Sequence, residues 1–244
     1  MDNEELKKFI ELSTIPLTKI DKNNNNKPIG SASGFKVRYN NKLYLITANH
    51  VLQQGEWGME CKYEKWKGAK LVPVPYKCAY KFSLGKIDAI NNMYIDNPEL
   101  LDFNIIPMPE DIKSYYQEFD QDRNPIVEIE RKIFDTFFDS TPSKFERYGF
   151  TGRIKPKLDG ISWEFEQKTY MNLKFIEIKN FENGFIYVFR LPFPVHNIDK
   201  LKGCSGAPII DTQGNVVAVI SRQASPQRIE AVSVNIGKFV NIFR

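Results

Sequence analysis

Only two histidines, His50 and His196, are present. They are the first residues to consider for proton transfer near neutral pH, where an unperturbed imidazole titrates. His50 ends the run Leu45-Ile46-Thr47-Ala48-Asn49-His50, where an apolar strand gives way to small residues. A histidine just past a rigid strand can project into a cleft; the plainer alternative is a strand-end imidazole bonded to a nearby carbonyl. Ser205 lies in Gly203-Cys204-Ser205-Gly206-Ala207-Pro208. Flanking glycines permit backbone conformations that other residues resist. Such a turn can aim several N–H groups at one point, as an oxyanion requires. A serine hydroxyl is a poor nucleophile without an adjacent base, and a Gly-Ser turn before a strand also occurs with no chemistry attached. Taken together, the histidine and the serine are the residue types of nucleophilic acyl transfer.

The two segments resemble those of the trypsin-like (chymotrypsin-fold) serine peptidase superfamily, of intracellular microbial type. Residues 31–52 (SASGFKVRYNNKLYLITANHVL) place an early Gly-Phe strand before a strand ending in Thr47-Ala48-x-His50. Residues 202–220 (KGCSGAPIIDTQGNVVAVI) supply Gly203, Ser205, Gly206 and Pro208 of a Gly-x-Ser-Gly-x-Pro motif, then a hairpin turn at Asp211 and Gly214. The resemblance implies a triad in the order His, Asp, Ser. Asp102, in Leu101-Asp102-Phe103-Asn104-Ile105-Ile106, fits the acid preceding a short apolar strand, with Asn104 where a small residue is more usual. Asp88 and Asp96 remain alternatives. The implied roles are His50 as base, Asp102 as its orienting acid, Ser205 as nucleophile, and the Gly203 and Ser205 N–H groups as oxyanion hole. This chemistry needs no metal or organic cofactor. The implied partner is a protein or peptide substrate, with an activating partner also open. A catalytically silent protein-binding module on the same fold is the alternative, because folds host many functions.

Several residues depart from the family pattern. Cys204 stands where trypsin-like members carry the acid that pairs with a freed N-terminus, which argues against that activation route. Cysteine nucleophiles of viral relatives would occupy the Ser205 position, so Cys204 is one residue out of register and reads as a buried structural thiol. Asp199 lies six residues before Ser205, where an acid would select Lys or Arg. His196 would line the same pocket in relatives that take Gln or Glu. Ser221, Arg222 and Gln223 are expected to form the other wall, and Arg222 there would favour an acidic side chain, in conflict with Asp199. A Gly-x-Ser-x-Gly hydrolase is a poor match, because Ala207 replaces the last glycine and the Ser-Asp-His order is absent.

The elements that must position these groups read as β-structure. Phe35–Tyr39 and Leu43–Ile46 flank the turn Asn40-Asn41; Lys174–Ile178 and Phe185–Phe189 flank Asn183-Gly184; Ala207–Ile210 and Val216–Ile220 flank residues 211–215. Residues 61–80 read as short strands and loops broken by Pro73 and Pro75, and 103–106 as a buried strand. A short amphipathic helix is expected over 4–13, then a polar loop through Asn23–Asn26, with the ordered core beginning near Ile29. Residues 110–122 are expected as a surface helix or long loop. The expected fold is all-β: two six-stranded antiparallel barrels with short peripheral helices. The expected divisions are 1–28 (helix and loop), 29–120 (first barrel, with His50 and Asp102) and 121–244 (second barrel, with Ser205).

Composition narrows the classes further. A 42% hydrophobic fraction over 244 residues supports a substantial core. A net charge of +4 is too mild for a dedicated nucleic-acid binder, and the aromatics are spread along strands rather than gathered on one basic face. Cys61, Cys78 and Cys204 have neither zinc-site spacing nor a disulfide framework, which favours a reducing compartment. Met1–Glu5 is acidic where a secretory leader would be basic and then apolar. No apolar run approaches a membrane span. A cytoplasmic location with no membrane partner is the expectation.

Overall fold

The computed structural model describes residues 1–21, 23, 27–52, 55–64, 68–74, 80–88, 93–122, 124–135, 140–153, 157–159, 162–164, 167–179, 185–197 and 200–235. Helix α1 (Asn3–Ser13) starts where Asp2 accepts the Glu4 and Glu5 N–H groups, each at 2.9 Å, and the Glu5 carboxylate accepts the Asp2 N–H at 3.0 Å. This capping box satisfies donors that the first helical turn leaves open. The helix buries Leu6 and Ile10.

The chain then builds β1 (Ile15–Asp21), β2 (Lys27–Tyr39), β3 (Lys42–Thr47), the single turn α2 (Asn49–Leu52), β4 (Glu56–Glu64), β5 (Gly68–Pro73), β6 (Tyr80–Asp88) and β7 (Met93–Met108). They form one antiparallel sheet in the order β5-β4-β1-β2-β3-β7-β6. Strand β1 corrects the expectation that the core begins near Ile29: it pairs with both β2 and β4, and Ile15 and Leu17 are fully buried. Pro16 within so short an alternation had weakened the strand signal. The β2–β3 turn is at Asn40 and Asn41, with φ of 48° and 59°, a left-handed pair that asparagine tolerates better than most residues.

Strands β8 (Tyr115–Phe119) and β9 (Pro125–Glu130) form a separate hairpin where a helix or loop was expected, and this hairpin spans the expected division at 120. The brief β10 (Ile133–Phe134) pairs in parallel with β2 as an eighth strand of the first sheet. The crossing to the second half follows β10. There, β11 (Tyr148–Arg153), β14 (Gln167–Lys179), β15 (Ile186–Arg190), β18 (Arg228–Ser233), β17 (Val216–Ser225) and β16 (Pro208–Asp211) close a six-stranded barrel. The small hairpin of β12 (Lys157–Asp159) and β13 (Ser162–Glu164) lies outside it. The Asn183-Gly184 turn and Pro75 lie outside the described residues.

The described residues form three apolar cores. One lies within the first sheet (Leu17, Leu45, Met59, Ile106), and one within the barrel (Phe150, Tyr170, Phe189, Ala218). The third joins the two halves: Phe35, Ile46 and Phe103 from the sheet share a cluster with Ile210, Val219 and Val232 from the barrel and with Leu6 and Ile10 of α1. Burial of this third set holds the sheet and barrel in register with one another. No helix among the described residues is long and apolar enough to cross a membrane.

Candidate active site

His50 stands on α2, directly after β3. Ala48, Val51 and Leu52 are buried, which leaves the imidazole facing outward with half of its side chain exposed. Asp102 belongs to β7, antiparallel to β3 with Asn104 opposite Thr47. Two residues beyond that pair, Asp102 reaches the level of α2. Its Oδ1 accepts the His50 backbone N–H at 2.8 Å, and its Oδ2 lies 2.6 Å from His50 Nδ1. A carboxylate beside Nδ1 fixes the proton there and leaves Nε2 free as the acceptor.

Ser221 completes the surroundings of the acid. Its hydroxyl donates to Asp102 Oδ2 at 2.6 Å, and its carbonyl accepts the Ser205 hydroxyl at 3.2 Å. Burial is the largest influence on the Asp102 carboxyl and pushes its pKa up. The hydrogen bonds and charge of His50, with the Ser221 hydroxyl, outweigh that and hold it below the ordinary 3.8.

Ser205 sits in the turn between Leu201 and Ala207. Its carbonyl accepts the Ser33 N–H at 2.9 Å, and the Ser33 hydroxyl donates to the Gly203 carbonyl at 2.6 Å. Ser33 is itself fixed by Thr47, whose hydroxyl donates to the Ser33 carbonyl at 2.7 Å. Thus β2 and β3 clamp the serine turn across the seam between the two halves. Both glycines of the turn are required. Gly206 has φ +86°, and a Cβ there would meet the Ser33 carbonyl and the Thr47 hydroxyl. A Cβ on Gly203 would fall on the Arg153 carbonyl. The Gly203 and Cys204 N–H groups both donate to the Leu201 carbonyl at 3.0 Å. One of the two expected oxyanion donors is therefore bonded within its own turn.

No protein-family model matches the chain, and neither does any curated protein. Solved structures do match it. A serine endoprotease from Yersinia pestis superposes with a TM-score of 0.51 at 9% identity, over 98% of this chain and 65% of that one. Neuropsin, a serine protease of mouse brain, superposes with a TM-score of 0.53 at 9% identity, over 95% of this chain and 93% of that one. The chain has the chymotrypsin-like fold.

Within this fold the remaining candidates fall into separate places. Cys204 is buried, with Sγ packed against the backbone at Gly152. Burial pushes its thiol up to about 12, against a smaller opposing pull from Lys168, so it stays protonated and non-nucleophilic at neutral pH. Arg222 is exposed and paired with Glu230 at 2.8 Å. Gln223 points the other way, its amide donating to the Val195 carbonyl at 2.8 Å. His196 is exposed on the segment after Val195. Asp199 lies outside the described residues, as do the side chains of Asp88 and Asp96. Among the described side chains, Asp102 is the acid in contact with His50. Ser221 was expected only as a pocket wall; its contact with the acid follows from a shift in strand pairing between Ile220 and Arg222, which no local motif announces. Among the described residues no cluster of His, Cys, Asp and Glu has the arrangement of a metal site.

Proposed function

We propose that the chain is a serine endopeptidase that hydrolyses a protein or peptide substrate through His50, Asp102 and Ser205. The observation that carries this reading is the 2.6 Å contact of His50 Nδ1 with Asp102, joined through Ser221 to the Ser205 hydroxyl. Ser205 Oγ attacks the scissile carbonyl carbon while His50 Nε2 takes the hydroxyl proton. Asp102 holds the imidazole orientation and stabilises the imidazolium. The tetrahedral intermediate expels the amine, which receives that proton, and water then releases the acid from the acyl-enzyme by the same base. Negative charge on the carbonyl oxygen is received by the N–H groups of Gly203 and Ser205. In the resting turn the Gly203 N–H donates to Leu201, so rotation of that peptide precedes the acyl step. Substrate or an activating partner would supply the energy for this rotation. The free, buried thiols of Cys61 and Cys204 fit a cytoplasmic setting.

The Leu201 and Ser221 bonds also favour a second reading, a binding module that keeps the fold and has lost turnover. Labelling with a fluorophosphonate probe separates the two. Wild-type protein is expected to label, with the rate falling at least about 10³-fold in Ser205→Ala and in His50→Ala. Folded wild-type protein that stays unlabelled, alone and with added peptides, would sink the peptidase reading.

A further inference from the structure

The surface beside Ser205 carries a selection rule for the substrate, which rests on the peptidase reading above. Strand β17 pairs with β16 through Val216–Val219 and with β18 as far as Ser225. From Ser221 to Ser225 it therefore has β18 on one side and faces the serine turn on the other. The Ser221 carbonyl already touches Ser205 Oγ. A substrate carbonyl carbon brought to that oxygen must set its own residue beside Ser221, Arg222 and Gln223. An extended peptide laid along such an edge presents alternate side chains inward.

What the inward side chain meets is set by alternation along β17. Ser221 and Gln223 are half-buried, whereas Arg222 is exposed and neutralised by Glu230. Gln223 pairs across the hairpin with Ile229, which is 1% exposed. Its amide reaches the Val195 carbonyl, and Val195 is anchored in turn by its N–H to the Pro226 carbonyl at 2.6 Å. The Gln223 side chain therefore spans from β17 to the Val195 segment as a strut. Its two neighbours, Val195 and Ile229, belong to one buried apolar cluster. Gln223 Oε1 is buried with no donor among the described residues.

We infer that Gln223 closes the recess beside Ser205, so that the residue donating the scissile carbonyl must carry a small, uncharged side chain such as Ala or Ser. A lysine there would leave water beside Arg222, a like charge, and a glutamate would have to draw Arg222 away from Glu230. A phenylalanine would have to displace the strut and break its bond to Val195. One surplus methylene in a closed pocket already costs about tenfold or more in discrimination.

The test uses peptidyl phosphonates that are identical except for Ala, Ser, Phe, Lys or Glu at the position next to phosphorus, and reads their inactivation rates. Wild type is expected to react with the Ala and Ser reagents about tenfold or more faster than with the others. Gln223→Ala, which removes the strut, is expected to shift the Phe-to-Ala rate ratio about tenfold towards Phe. Gln223→Leu keeps the bulk without the amide and is expected to retain the preference for small residues. A wild-type preference for Phe, Lys or Glu, or a ratio that does not move in Gln223→Ala, overturns the inference. So does fluorophosphonate labelling without reaction towards any peptidyl reagent, while the peptidase reading survives. Failure of both reagent types overturns that reading and the pocket together.

Discussion

The two halves of the site are held in different ways. On the first sheet, a side chain is the hub: the His50 N–H, the His50 ring and the Ser221 hydroxyl from the barrel converge on the Asp102 carboxylate and fix His50 with no help from a substrate. On the barrel, main-chain groups are what is held: the Gly203 and Cys204 N–H groups bond to the Leu201 carbonyl within the turn, and the Ser205 and Gly203 carbonyls accept from the Ser33 N–H and hydroxyl across the seam. The acid–base pair is thus organised in advance, whereas the nucleophile turn rests in an arrangement that occupies its own donor. The contrast teaches that the barrel half is where reactivity can be regulated, because few bonds must change there.

The sharpest way to break the first half is Asp102→Asn, which keeps the shape but presents an amide to Nδ1. Labelling of Ser205 is expected to fall by about 10⁴-fold. The same variant has an acid signature. The folded Asp102 carboxyl titrates below its ordinary value, so its contribution to stability is present above that value and is lost as pH falls through the lower folded one. Melting of wild type is therefore expected to decline more steeply than that of Asp102→Asn below about pH 4. Parallel melting curves would show that the carboxylate gains nothing from its neighbours.

A smaller effect probes the barrel half. Ser33→Ala removes the hydrogen bond onto the Gly203 carbonyl and loosens the resting turn. One such bond is worth about 1 kcal/mol, so labelling is expected to quicken about fivefold. A slower rate would mean that Ser33 supports the reactive form of the turn rather than the resting one.

The cores differ as well. In the barrel, the hydroxyls of Tyr148, Tyr170 and Tyr187 all have partners. Among the described residues, the first half buries Lys36 Nζ, both amide atoms of Asn104 and the Ser114 hydroxyl without a hydrogen-bond partner, where the second half leaves the Gln223 and Asn235 amide oxygens so. Burial, with Arg131 and Arg38 adding to it, lowers the Lys36 pKa; Glu130 and Cys61 pull the other way. Lys36→Met is expected to raise stability at pH 7 by about 1 kcal/mol. The unfolded chain holds the lysine proton more tightly than the folded one, so this advantage should narrow as pH climbs towards the ordinary 10.5. A destabilised Lys36→Met at every pH would mean that the amine is held by contacts worth more than its burial costs.

What could be read in advance follows the same division between local and distant constraints. His50, Ser205 and the two glycines of the serine turn were legible because each answers a backbone demand within a few residues. Ser221 was visible only as a strand residue, since its work depends on which neighbour β17 meets after its pairing shifts. Strand β1 was hidden by Pro16 and by the polar stretch that follows it. The β8–β9 hairpin was hidden because it stands outside both main sheets, with Ile126 and Ile129 exposed, so no buried face marked its period. Hairpins with their own turn chemistry, such as that at Asn40-Asn41, could be read directly.

The placement of α1 has a consequence for how the molecule is made. During synthesis this helix leaves the ribosome well before Ile210 and Val216, with which its Leu6 and Ile10 share a buried cluster. Its apolar face must therefore wait, without those partners, while the intervening chain is made. Contacts so distant along the chain slow folding and expose the intermediate to aggregation. Completion of the barrel and docking of α1 should arrive together as a late, cooperative event, and a nascent chain stopped before Ile210 would be a client for chaperones rather than a half-finished enzyme.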